Sequence, residues 1–121
     1  MRIYHAKTGD PLLIGAESAL KSLAQQIDAL AESTQAAATF AVETTEDPAP
    51  YEESLSGLRV KKGSGQQLTI SDDRWLELLA SPEDLKFFAS LLRETSDGDH
   101  RHLYSKPVSL IVEEGEPWVE A

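Results

Sequence analysis

Leu78-Leu79-Ala80-Ser81-Pro82-Glu83-Asp84-Leu85-Lys86-Phe87-Phe88-Ala89-Ser90-Leu91-Leu92 is the stretch on which the reading of the fold turns. Ser81 offers a hydroxyl at a helix N-cap, and Pro82 takes the first helical position, where a missing N–H costs nothing. Glu83 and Asp84 set carboxylates against the positive end of the helix dipole, and Asp84, three residues after Ser81, makes a capping-box-like pair. Leu85, Phe88, Leu91 and Leu92 then recur at helical spacing until the pattern stops near Glu94. An amphipathic helix with one buried face is predicted, entered from an apolar strand at Trp75 to Leu79 in which Trp75 reads as a core residue.

The same signature stands earlier in the chain. Leu13-Ile14-Gly15-Ala16 followed by Leu20-Lys21-x-Leu23-Ala24 matches Leu78-Leu79-Ala80-Ser81 followed by Leu85-Lys86-x-Phe88-Ala89, an offset of 65 residues that also sets Ile27 on Leu92. A first helix is predicted from Glu17 to Glu32, with Leu20, Leu23, Ala24, Ile27, Leu30 and Ala31 on one side and Lys21, Gln25, Gln26 and Asp28 on the other. Further on, Gly57-Leu58-Arg59-Val60-Lys61-Lys62 resembles Ser109-Leu110-Ile111-Val112-Glu113-Glu114 at a smaller offset. Strand, helix, strand, strand, twice, is the organisation this suggests, with half-repeats at 11–62 and 75–114. Any two amphipathic helices that follow short apolar strands align about this well, so the alternative to a duplication is coincidence.

Short β-rich runs surround the helices: Leu12 to Gly15, Ala38 to Thr44, Leu58 to Lys62, Gln67 to Ser71, His100 to Tyr104 and Val108 to Glu113, with Arg2 to His5 as a further strand. Gly63-Ser64-Gly65 supplies glycines for a tight connection, predicting a hairpin between the runs on either side. The expected fold is α+β, a two-layer sandwich in which both helices pack on one face of a mainly antiparallel sheet. The chain of 121 residues reads as a single domain, long enough to bury about two thirds of the surface of its unfolded form. The stretch 43–56, with Pro48, Pro50 and several carboxylates, reads as a mobile acidic surface loop.

Composition removes whole classes of chemistry. There is no Cys, hence no disulfide framework, thiolate nucleophile or Cys-based metal site. No run is apolar for the roughly 20 residues of a membrane helix and the N-terminus lacks a signal pattern, so a cytoplasmic protein is expected. With 11 Lys and Arg against 21 Asp and Glu the formal charge is −10, which argues against nucleic acid or an anionic membrane and favours a basic protein partner.

His100-Arg101-His102 is one candidate site, because an H-x-H pair on a strand turns both imidazoles to one face at a spacing that can share a metal, with Asp97 and Asp99 upstream as oxygen donors. A metal needs further fixed ligands, and these lie in a turn beside Gly98, so two histidines hydrogen-bonded to their neighbours is the plainer reading. No cofactor is expected. No Ser sits in a nucleophile motif, the adjacent acids Asp72-Asp73 and Glu52-Glu53 cannot act as a catalytic pair, and Gly63-Ser64-Gly65 lacks the Lys of a phosphate loop. Charge distribution is the stronger signal. From Ser22 to Leu58 there is no Lys or Arg but seven acids, Asp28, Glu32, Glu43, Glu46, Asp47, Glu52 and Glu53, and the tail after Lys106 carries Glu113, Glu114, Glu116 and Glu120. Each acidic stretch has an aromatic anchor, Tyr51 or Trp118, as a binder of a basic protein would display, although acidic loops also serve plain solubility.

The order of a strand and helix, a Pro-containing loop ending in Leu58-x-Val60, Leu68-x-Ile70, a Ser81-Pro82-Glu83-x-Leu85 helix start, Gly98-Asp99-His100-Arg101-His102-Leu103-Tyr104 and a closing Ser109-Leu110-Ile111-Val112-Glu113 strand resembles small bacterial immunity proteins of polymorphic toxin systems, the group numbered thirty-two among them. The resemblance runs from about Leu12 to Glu113. It implies a non-enzymatic cytoplasmic protein that binds one cognate toxin domain and blocks it. The alternatives are a small metal-binding protein or enzyme centred on His100 and His102, and a homo-oligomerising scaffold domain; monomer and homodimer are both open.

Overall fold

Helix α1 (Glu17–Glu32) and helix α2 (Pro82–Glu94) form where the apolar periodicity places them, in a computed structural model that describes residues 1–96 and 98–115. The α2 N-cap is built as its sequence dictates: the Ser81 hydroxyl accepts from the Asp84 N–H at 3.1 Å. α1 begins at Ala16, which has no side chain to cap it. Its stability comes from packing instead. Leu20, Leu23, Ala24, Ile27, Leu30 and Ala31 of α1 and Leu85, Phe88, Ala89, Leu91 and Leu92 of α2 are buried in one core, and the two helices pack on each other.

The strands are β1 (Arg2–His5), β2 (Leu12–Gly15), β3 (Ala37–Ala41), β4 (Glu53–Leu55), β5 (Gly57–Lys62), β6 (Gln67–Ile70), β7 (Trp75–Ala80), β8 (His100–Leu103) and β9 (Leu110–Glu114). The α+β sandwich is as expected, with its strands divided between two sheets rather than gathered in one. The first sheet has the order β4-β1-β2-β9-β8 and the second β3-β5-β7-β6. Each is antiparallel apart from one parallel pair, β2 with β9 and β5 with β7. Both sheets turn their apolar residues to the helices, Ile3, Leu13, Leu55, Leu110 and Val112 from one and Leu58, Val60, Leu68, Leu76 and Leu78 from the other.

The two halves of the chain share one register. Ile3 opposite Leu13 in β1 and β2 becomes Leu68 opposite Leu78 in β6 and β7, both shifted by 65 residues. Leu13 opposite Val112 becomes Leu78 opposite Val60, and Arg101 opposite Val112 becomes Ala38 opposite Val60. The relation extends past the strand ends: Gly115 N–H donates to Gly15 C=O at 2.9 Å, and Gly63 N–H to Ala80 C=O at 3.0 Å. The repeating unit is therefore strand, strand, helix, strand, strand, one strand longer than the alignment of sequence suggests. Each sheet pairs the N-terminal hairpin of one half with the C-terminal hairpin of the other. Neither half can complete its own sheet, so they fold as one body.

Three expectations are corrected. β5 and β6 are not a hairpin: they flank β7 on opposite sides, and the glycine-rich link carries the chain across the end of β7. A Cβ on Gly63 would meet the Leu79 side chain there at 2.7 Å. Trp75 is not a core residue, because the alternation of β7 sends Leu76, Leu78 and Ala80 inward and leaves Trp75 half-buried on the outer face, under the Arg59 guanidinium at 4.7 Å from the ring centroid. The stretch 43–56 is not all loop, since it ends in β4, whose Leu55 is fully buried in the core. Among the described residues no helix is long and apolar enough to cross a membrane.

Candidate protein-binding surface

The repeat makes the outer faces of the two sheets directly comparable. On the first sheet one row across the strands reads Ser54, Tyr4, Leu12, Ile111, His102, and the next reads Arg2, Ile14, Glu113, His100. The equivalent rows of the second sheet read Thr69, Glu77, Arg59, Thr39 and Gln67, Leu79, Lys61, Ala37. One backbone thus carries two chemistries, an aromatic and aliphatic face against a polar one. The polar face is hollow, a groove of about 380 Å³ over Thr39, Arg59, Lys61, Thr69, Glu77 and Leu79. Its guanidinium is spent internally: Arg59 donates to both Asp73 carboxylate oxygens, at 3.2 and 2.6 Å, and lies 3.6 Å from Glu77. Those hydrogen bonds from Arg59, joined by one from the Ser71 hydroxyl, lower the Asp73 pKa from 3.8 to about 2.

The aromatic face carries the segment by which the halves differ most. The offset between them is 63 residues at β3 and β8 but 52 at β5 and β9, so the first half holds eleven additional residues between β3 and β5. These belong to the acidic stretch 43–56. It is folded over the first sheet by Tyr51, whose ring stacks on Tyr4 with centroids 5.6 Å apart. Tyr4, Leu12 and Ile14 are buried beneath, with Tyr51 and Ile111 packed against them.

The acids of this segment fall into two sets. Glu43 faces the Met1 amino group at 3.7 Å, Glu52 accepts from the Lys7 N–H at 3.1 Å, and Glu53, in β4, lies 3.7 Å from Arg74. Glu46 and Asp47 stand exposed at the outer turn, where Asp47 accepts from its own loop, the Ala49 N–H at 3.4 Å. Glu46, Glu52, Glu53, Thr45, Ser54 and Arg74 line a polar cleft of about 610 Å³.

The two acidic stretches of the sequence meet on this face. Burial raises the Tyr51 pKa, and the Glu113 carboxylate raises it further, which places Glu113 within electrostatic reach of the ring. Glu113 is also the cross-strand neighbour of Ile14 and His100. Glu114, one residue on, points to the other side and accepts from the Gly98 N–H at 3.2 Å, so it does not share the face. Glu116 and Trp118, with Asp97 and Glu120, lie outside the described residues.

His100 and His102 do turn to one face. Their rings meet edge to face with centroids 5.6 Å apart, and His102 stacks on Tyr104 at 5.6 Å. Among the described residues no three His, Asp or Glu side chains are grouped to hold a metal. Tyr4, which carries the insert, is absent from the sequence reading. Its only signal is the alternation of Arg2 to His5, which cannot say which face is covered. Compared with protein-family models, curated proteins and solved structures, the chain matches none.

Proposed function

We propose that this chain is a non-enzymatic immunity protein, which binds a basic toxin domain one to one and blocks it through the acidic insert. The observation that carries this reading is the insert itself. Two halves that agree residue by residue in the register of their strands differ by two residues between β2 and β3 and by eleven between β3 and β5, and the segment that holds the eleven has five carboxylates and no cation between residues 43 and 56. A longer loop costs little closure entropy, and this one contributes only Leu55 to the helix-facing core and Tyr51 to the outer cluster, so its composition points to recognition. Glu46, Asp47 and Glu52 form its outer rim, Glu43 and Glu53 its base, and Glu113 extends the negative field across the sheet, with Glu116 and Trp118 as the further contribution of the second acidic stretch; Glu114, turned to the other side, takes no part. Tyr51 gives the insert a rigid root, so little freedom is lost on binding. Like-signed charge focused on one face steers a basic partner and speeds its association.

Affinity capture from a lysate of the native host, eluted with a salt gradient, tests this. A single basic protein that leaves at high salt, and whose toxicity is suppressed by the chain but not by a Glu46→Lys/Asp47→Lys variant, is the expected result. Suppression by the charge-reversed variant as strong as by the native chain would remove the insert as the interface.

A further inference from the structure

We infer that the free edge of β8 pairs antiparallel with β8 of a second copy of this chain, about a two-fold axis through His102. β8 is the last strand of its sheet. The Glu114 N–H donates to Asp99 C=O at 3.0 Å, so the backbone groups of Asp99, Arg101 and Leu103 face β9 and those of His100, His102 and Tyr104 face outward. Gln66 Nε2 donates to the Tyr104 carbonyl at 2.9 Å. The outward N–H and C=O of His100 and His102 have no backbone partner among the described residues.

The repeat supplies an internal control. β3 is the equivalent edge of the other sheet, and it is flanked by Ser22 on α1 and by Ala41. At the matching positions β8 is flanked by Phe87 on α2, 62% exposed, and by Tyr104, 77% exposed, the large hydrophobic side chains left open among the described residues. The same backbone edge thus occurs twice, and one of the two is flanked by aromatic rings. Phe87 borders a groove of about 400 Å³ between α2 and β8, with Leu91, Glu94, Arg101 and His102.

Charge and register select a second copy as the occupant. The chain carries −10 overall, which opposes self-association over most of its surface. Along this edge the charges balance: Arg101 lies 3.8 Å from Glu94 and 3.7 Å from Asp99, and Lys106 follows. With His102 opposite His102 of the second copy, outward backbone meets outward backbone, and His100 falls beside Tyr104 of the second copy. Arg101 is set against Leu103 rather than against a second Arg101, and Asp99 comes near Lys106. A register shifted by one residue in each chain would put Arg101 against Arg101. The insert stands at the opposite end of the sheet and stays open in such a dimer.

Sedimentation velocity on the whole chain, from about 1 µM to about 1 mM, tests this. A concentration-dependent dimer is expected. Phe87→Ser with Tyr104→Ala, the residues standing at the equivalent places in the first half, should raise its dissociation constant at least about ten-fold. His102→Pro, which removes an outward N–H and no bond within the sheet, should abolish it. Circular dichroism checks that each variant is folded. A monomer throughout the range, or a dimer that neither variant weakens, would overturn the inference.

Discussion

Tyr51 lies flat on Tyr4, ring centroids 5.6 Å apart and planes 19° from parallel, and this contact roots the acidic insert on the sheet. Tyr4 is 1% exposed, so its ring forms a fixed platform. Around the stack, Tyr51 N–H donates to Pro48 C=O at 2.9 Å and Glu52 N–H to His5 C=O at 3.1 Å. Tyr51→Ala should cost about 1 kcal/mol for the ring pair, with faster amide exchange at Tyr51 and Glu52 and unchanged exchange in α1 and α2. Tyr51→Phe, which keeps the ring and its stack, should retain most of that protection at Glu52. Exchange at Glu52 that ignores the loss of the ring would mean the insert is held elsewhere.

Glu46 and Asp47 are the acids whose reversal separates recognition from folding. Both are exposed, and neither side chain touches the core. Glu46→Lys with Asp47→Lys should therefore leave stability within about 0.5 kcal/mol, while slowing association with a basic partner about ten-fold and flattening its salt dependence. Glu52→Lys should do both kinds of damage, since that carboxylate also accepts from the Lys7 backbone. Stopped-flow association at two ionic strengths, alongside thermal melts, distinguishes the two effects. An unchanged on-rate in the double variant would show that the partner does not meet the insert.

Both helices could be read from the sequence because their determinants are local: apolar residues at a spacing of three and four, joined in α2 by a cap and a proline at the first turn. The repeat was legible for the same reason, since Leu13 and Leu78 or Val60 and Val112 sit in similar local patterns. What escaped is pairing. Alternation marks Trp75 to Ala80 as a strand but does not say which parity faces the helices, and a large ring at Trp75 biased the reading toward the core. Glycines between Lys62 and Gln66 signal a tight passage of the chain without naming its neighbour, which is β7 and not the strand that follows. The division into two sheets rests on parallel pairs between distant segments, Leu12 with Ile111 and Arg59 with Glu77, and no local signal encodes these. The candidate surface was half legible: its acids stand out in composition, but only the fold brings Glu113 within electrostatic reach of Tyr51 and turns Glu114 away.

Asp73 should be the acid-sensitive point of the polar sheet. Its pKa is held at about 2 by Arg59, with Ser71 second, against 3.8 without those partners. A depressed carboxylate binds its proton less readily folded than unfolded, so its contribution to stability is present above about pH 4 and is lost as the pH falls from 4 toward 2. Asp73→Asn should narrow its difference from the native chain steadily across that window. Arg59→Gln should return the Asp73 titration, followed by NMR, toward 3.8 and alter Trp75 fluorescence as the guanidinium leaves the ring. A native Asp73 that titrates at its ordinary value would show the Arg59 pairing is not formed in solution.

The repeat also allows a cap to be moved from one half to the other. Ser81 and Ala16 occupy equivalent N-caps with nearly the same backbone, φ −69 and ψ 160 against φ −63 and ψ 154, yet only Ser81 has an oxygen to accept from the first turn. Ser81→Ala should lower stability by about 1 kcal/mol, and Ala16→Ser should raise it by about 0.5–1 kcal/mol. The asymmetry has a physical reason in the packing: α1 has sixteen residues to the thirteen of α2 and buries six of them, so it forms without a cap. Urea denaturation of the two variants and of the double exchange measures both terms. If Ala16→Ser gained nothing while Ser81→Ala was costly, the first turn of α1 would have to be satisfied by solvent or backbone groups that its counterpart lacks. A gain there would show that the two halves differ at this position in composition alone.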